Sequence, residues 1–189
     1  MSLNGPFGAG GQTVTKQERT EAIKAGAPMF PYLRCRETGA THAEALEAQK
    51  AGTKLTWYAR CREAGTTHAE VLEAQEAGAD LFSYAYCREA GAIHAEVLEA
   101  KEAGADLIRY SRCRRVGATH PEAMALRLRG AGPVTAKEIK LAVPALRAAC
   151  GTAPTHELGE TIATLAQDWA GTADELAATA GALLSTSPS

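Results

Sequence analysis

Residues 62–81 read REAGTTHAEVLEAQEAGADL, and residues 88–107 read REAGAIHAEVLEAKEAGADL. The text returns after 26 residues. An internal period of roughly 20–50 residues is the signature of a stacked-repeat architecture. Working outward, cysteine recurs at Cys35, Cys61, Cys87 and Cys113, histidine at His42, His68, His94 and His120, and tyrosine at Tyr32, Tyr58, Tyr84 and Tyr110. Glycine recurs at half that step, at 26, 39, 52, 65, 78, 91, 104, 117 and 130. Each unit of 26 therefore holds two 13-residue segments, a tyrosine segment such as 78–90 and a histidine segment such as 91–103.

Both kinds of segment are dominated by good helix formers: Ala, Leu, Glu, Arg, Gln and Lys. The histidine segments open on a capping box, Thr41 with Glu44, Thr67 with Glu70 and Thr119 with Glu122. In such a box hydroxyl and carboxylate satisfy the leading amides reciprocally. Thr15 with Glu18 marks a divergent first copy over 15–25. Ile93 stands where its counterparts are Thr and cannot cap, which predicts the weakest helix start of the set at 93–103. Glycine stops each helix by taking the left-handed conformation without a Cβ penalty. Helices of about ten residues are ~15 Å long and too short to stand alone in water. Short turns make neighbours antiparallel. Leu81, Tyr84, Ala85 and Cys87, with Val71, Leu72 and Ala74, form the expected buried stripes, repeated one unit earlier or later. The expected fold is all-α: an α-solenoid of short antiparallel helical hairpins over 15–130.

The rhythm stops near its end. Position 139, the fifth cysteine step, is Ile139, and glycine is absent at 143. Thr135 with Glu138 opens another helix, Thr155 a second to about Ala170, and Thr172 with Glu175 a third to about Leu184. They are expected to form a C-terminal cap over 131–185, with Pro144 kinking or splitting the first. Residues 1–14 and the last few from 185 are expected to be disordered tails.

The 189 residues carry 20 Lys+Arg against 22 Asp+Glu, a net charge of -2. That balance gives no overall case for a nucleic-acid or membrane-surface binder. No phosphate loop, GxSxG elbow, HExxH or Rossmann glycine pattern is present, so neither an enzyme nor a cofactor is expected. No stretch approaches the ~18 apolar residues that would span a bilayer. The opening MSLNGPFGAGGQTVT has no basic or apolar region of the secretory kind. Five cysteines, four of them evenly spaced, read as a packing position and not as a disulfide framework. A cytoplasmic protein from a GC-rich, bacterial genome is the expectation.

Three sets of residues could carry function. The first is the ladder Cys35/His42, Cys61/His68, Cys87/His94 and Cys113/His120, whose types suit zinc or copper. Each hairpin offers only two ligands, however, so packing is the preferred reading and metal the alternative. The second is the arginine row Arg36, Arg62, Arg88 and Arg114, with Arg34, Arg60 and Arg112 beside it. Tyrosine segments sum to +5 and histidine segments to -5, so a basic and an acidic wall are expected. Such a row could track phosphates, but pairing with Glu of the following helix is preferred because the net charge is not positive. The third set is what differs between near-identical repeats: Phe30, Thr56, Phe82 and Ile108, then Pro31, Trp57, Ser83 and Arg109. An exposed Trp57 is the first expected hot spot.

The layout resembles tandem helix-turn-helix arrays such as the tetratricopeptide repeats, over about 15–130. The likeness is architectural: the step here is 26, against about 34 for that family, and its Trp/Gly/Tyr/Pro signature is absent. It implies a helical scaffold and carries over no functional residue. The expected function is a non-enzymatic scaffold for a protein or peptide partner, with metal or nucleic-acid binding as alternatives.

Overall fold

A computed structural model describes residues 13–126, 135–150 and 155–185. These residues form twelve helices and no strand. The chain divides into two compact units, residues 1–85 and 86–189. Most of the expected N-terminal tail (1–12), the ninth turn glycine Gly130 and residues 186–189 lie outside the described residues.

In the first unit, α1 (Lys16–Lys24), α2 (Met29–Glu37), α3 (His42–Lys50), α4 (Leu55–Glu63) and α5 (His68–Glu76) each have nine residues, and α6 (Leu81–Glu89) begins. The hydroxyls of Thr15, Thr41 and Thr67 accept from the amides of Glu18, Glu44 and Glu70, whose carboxylates accept in return. The exits are equally regular. At Gly65, φ is +78°, its N–H donates to the Arg62 carbonyl at 3.0 Å, and the Thr66 N–H donates to Cys61 at 3.1 Å. That pair of bonds is the Schellman closure. A side chain in this conformation would cost roughly 1–2 kcal/mol, which is why glycine keeps the beat. The same two bonds close the turns at Gly26, Gly39, Gly52 and Gly78.

Nine residues cannot hold a helix by themselves, so packing must. Here α1 packs on α2, α2 on α3 and α4, α3 on α4, and α4 on α5. The expected stripe of Leu55, Tyr58, Ala59 and Cys61 is buried, as is Tyr32. Facing residues are small: Ala22, Ala45, Ala48 and Ala74 are buried beside Val71, while Leu72 is only half-buried. Small side chains on one partner let the large tyrosines of the other fill the space between close helices.

The second unit holds the rest of α6, then α7 (His94–Glu102), α8 (Leu107–Arg115), α9 (His120–Ala125), α10 (Ala136–Cys150), α11 (His156–Leu165) and α12 (Ala173–Ser185). Ile93 has the extended backbone of a cap, φ -79° and ψ 162°, but makes no side-chain bond to α7. Two expectations need correction. Pro144 does not split its helix: α10 runs through it from 136 to 150. Pro144 is exposed, so water can serve the carbonyl that its ring leaves without a donor. The next helix, α11, ends at Leu165 and not near Ala170. Helix α10 packs on α8, α9, α11 and α12, and α11 on α9. Gly159 permits the last contact, since a Cβ there would run into the backbone of Ala125. No helix among the described residues is long and apolar enough to cross a membrane.

Candidate functional site

The repeated polar residues are engaged with one another, and not in the pairs that their spacing along the chain suggests. Tyr32 meets His42 Nδ1 at 2.8 Å, Tyr58 meets His68 at 2.9 Å, and Tyr110 meets His120 at 2.7 Å. Each ring also touches its histidine edge to face, with centroids 5.7–5.9 Å apart. On the far side of the imidazole a glutamate closes in. His42 Nε2 lies 2.9 Å from Glu21, and the same nitrogen lies 3.3 Å from Glu47 at His68 and 3.4 Å from Glu99 at His120. At His42, where Nε2 is hydrogen-bonded to Glu21, the carboxylate holds the proton on Nε2, so Nδ1 is the acceptor and the Tyr32 hydroxyl the donor. At His68 and His120 the glutamate stands near but Nε2 makes no hydrogen bond. Burial comes first among the causes that push the Tyr58 and Tyr110 hydroxyls above the ordinary tyrosine range.

The cysteines look elsewhere. Cys35 donates to the Leu55 carbonyl at 3.4 Å, Cys61 to Leu81 at 3.7 Å, and Cys87 to Leu107 at 3.2 Å. Each thiol thus ties one tyrosine helix to the start of the next. Burial pushes the thiols of Cys35, Cys87 and Cys113 up to about 12, which keeps them protonated and unreactive. Cysteine and histidine of one repeat therefore have separate occupations. Among the described residues, no group of three or more His, Cys, Asp or Glu is placed to hold a metal ion.

The arginine row also turns inward. Arg36 is 4% exposed, donating to the Ala40 carbonyl at 2.8 Å and to Glu18 at 3.1 Å. Arg114 reaches Glu96 at 3.3 Å and the Gly91 carbonyl at 3.2 Å. Arg88 donates to the Ala92 carbonyl at 3.3 Å. Arg62 acts on Glu44: partial burial raises that carboxyl, but the Thr41 amide and hydroxyl and then Arg62 bring it below its ordinary value. The glutamate partners are the capping-box residues of the preceding histidine helix, not of the following one as expected. A buried Arg36 is no phosphate contact, and the row braces helix starts. In the adjacent row, Arg34 pairs on the surface with Glu37 and Glu63.

The residues that differ between repeats have a different fate. Phe30 is 82% exposed. Trp57, expected to be exposed, is half-buried, edge to face with Phe82 at 4.9 Å between centroids. Ile108 is half-buried, and Arg109 lies against Asp106 at 3.6 Å. In the first unit Pro28, Pro31, Gln49, Gly52, Thr53, Lys54, Leu55, Thr56 and Trp57 line a cleft of about 410 Å³. Its floor is fixed. The Thr53 hydroxyl donates to Gln75 at 2.5 Å, Gln75 donates to the Ala51 carbonyl at 2.8 Å, and the Cys35 thiol holds Leu55. Three positions that vary between repeats, Pro31, Thr56 and Trp57, meet at this cleft.

Sequence reasoning missed the tyrosine–histidine–glutamate set and the inward role of arginine. Both had a signal in fixed offsets: histidine follows tyrosine by 10, and arginine follows the box glutamate by 18. No protein-family model matches the chain, and no curated protein or solved structure is significantly similar to it.

Proposed function

We propose that the protein is a non-enzymatic helical-repeat scaffold, an α-solenoid, that binds a protein or peptide partner through the residues that differ between its repeats. One observation carries this reading. The recurring Tyr, His, Cys and Arg side chains make their bonds within the fold, whereas the variable Pro31, Thr56 and Trp57 line an open cleft and the variable Phe30 is exposed. An aromatic anchor in a preformed concave site is what a binding hot spot requires. The reading includes a cytoplasmic setting, which suits five free thiols.

The test is a peptide selection against the purified protein, followed by affinity measurement on Trp57→Ala. The expected result is selected binders that lose about tenfold or more in affinity, the range of a hot-spot truncation, with helix content unchanged. Binders indifferent to Trp57→Ala and Phe82→Ala would remove the reading.

A further inference from the structure

The cleft in the first unit has a chemical bias that its neighbours in the repeat explain. Positions 28, 54, 80 and 106 are equivalent, each standing just before a tyrosine helix. At the last two a carboxylate caps the helix. Asp106 accepts from the amides of Ile108 and Arg109 at 2.9 and 3.1 Å, and Asp80 accepts from Ser83 at 3.1 Å. At the first two the chain places Pro28 and Lys54, and neither α2 nor α4 has a side-chain cap. Both of these positions line the cleft. The cleft therefore contains the start of α4 without the anion that α8 carries, and with a cation in its place.

The rest of the lining agrees. Pro28, Pro31, Leu55 and Trp57 give apolar walls, Gln49, Thr53 and Thr56 are neutral, and Lys54 is the only charged lining residue. A helix start adds positive potential of its own. An apolar side chain gains on the walls, and a carboxylate gains at Lys54 and at the Thr56 amide, the Trp57 amide already donating to the Lys54 carbonyl at 2.9 Å. A cationic ligand meets repulsion at the same point.

We propose that the cleft takes an acidic peptide segment in which a carboxylate stands beside an apolar or aromatic side chain. The apolar group lies against Trp57 and the prolines, and the carboxylate pairs with Lys54 and takes at the Thr56 amide the place that Asp106 holds at Ile108. The proposal rests on the peptide-binding reading above and names the class of peptide.

The probes are acetylated, amidated hexapeptides in which one Asp is flanked by Phe, Tyr, Trp or Leu on either side, and the same peptides with Asn. Binding is read from the indole NH signals in nitrogen-15 NMR, Trp57 reporting the cleft and Trp169 serving as the internal control. Asp peptides shift Trp57 and leave Trp169 in place, the Asn twins bind about tenfold more weakly, and added salt weakens the Asp peptides. Lys54→Asp removes Asp-peptide binding while raising the melting temperature, because the new carboxylate caps α4 from within. That rise separates lost binding from lost folding. Lys54→Gln, which only deletes the charge, gives a smaller loss. Equal affinity for Asp and Asn twins, or undiminished binding to Lys54→Asp, overturns the acidic class and leaves peptide binding standing. So does a panel that never shifts Trp57 while selected peptides still depend on it. Absence of any binder that depends on Trp57 overturns both readings.

Discussion

A phenol hydrogen-bonded to an imidazole does more than fill a gap, because it satisfies two polar atoms that packing has taken from water. At His68 the tyrosine side is closed by Tyr58 at 2.9 Å and the opposite nitrogen stands 3.3 Å from Glu47. Deleting the hydroxyl in Tyr58→Phe keeps the ring and its packing but leaves His68 Nδ1 without its hydrogen-bond partner. The cost of a stranded buried polar atom is about 1–3 kcal/mol, to be read from urea unfolding of the variant. A change near zero would mean that water replaces the hydroxyl. The residues of this set were plain in the sequence, but their pairing was not. Tyr58 and Cys61 lie three apart on one helix face and either could have faced the following histidine. Only the rotation of one helix against the next decides, and spacing along a chain does not encode that rotation. The thiol instead turned to the Leu81 carbonyl, and the phenol took the imidazole.

Within the repeat, helix boundaries were legible nearly to the residue, because the chemistry that sets them is local; α11, which no glycine stops, ended five residues before its expected end. A Thr-x-x-Glu start and a Gly stop lie within one turn of the ends they control. Ile93 tests this at the scale of an element. Its backbone already has the cap geometry, with ψ 162° against 163° at Thr67, and its side chain is 60% exposed, so little packing is at stake. Ile93→Thr should stabilise the protein by about 1 kcal/mol, the usual worth of a cap, and slow amide exchange in the first turn of α7. An unchanged melting curve would show that the Glu96 carboxylate, which already accepts from the Ile93 amide at 3.0 Å, suffices alone. Helix α10 was less legible, since whether a proline breaks a helix depends on which face it occupies, and that face is set by packing against α12 and α9.

For the chain as a whole, the sequence placed the end of the repeat after Gly130, where the glycine and cysteine steps fail. One bracing contact nevertheless continues past that point. Arg147 of α10 clasps Glu122, the capping-box residue of α9, with two bonds of 2.7 Å, and donates to the Gly117 carbonyl at 3.2 Å, as Arg114 does to Gly91. The reach is 25 residues where it was 18 before. The longer separation hides the equivalence, and no fixed step could reveal it. The hydrogen bonds from Arg147, opposed by burial and helped by the Thr119 amide, lower the Glu122 carboxyl from 4.5 to about 2. A carboxyl depressed in the folded state stabilises above its unfolded value and loses that contribution as pH falls through its folded one. Arg147→Ala should therefore cost about 1–2 kcal/mol at pH 7, a modest figure because Arg147 is half exposed. The difference from wild type should shrink as pH falls from 4.5 toward 2. Urea unfolding of both proteins across that window checks it, and a gap independent of pH would exclude the ion pair as its source.

The tyrosine and cysteine bonds that brace the repeat reach forward 10 and 20 residues, and the arginine bond reaches back 18, each to a partner of fixed type. Length is therefore quantised. Removing or duplicating 26 residues keeps the Tyr–His and Cys–carbonyl pairs in step, whereas a change of 13 sets tyrosine helix after tyrosine helix and strands the phenol and thiol at the junction. A chain of this kind can grow or shrink only in whole units, and each new unit brings its own set of the positions that vary between repeats.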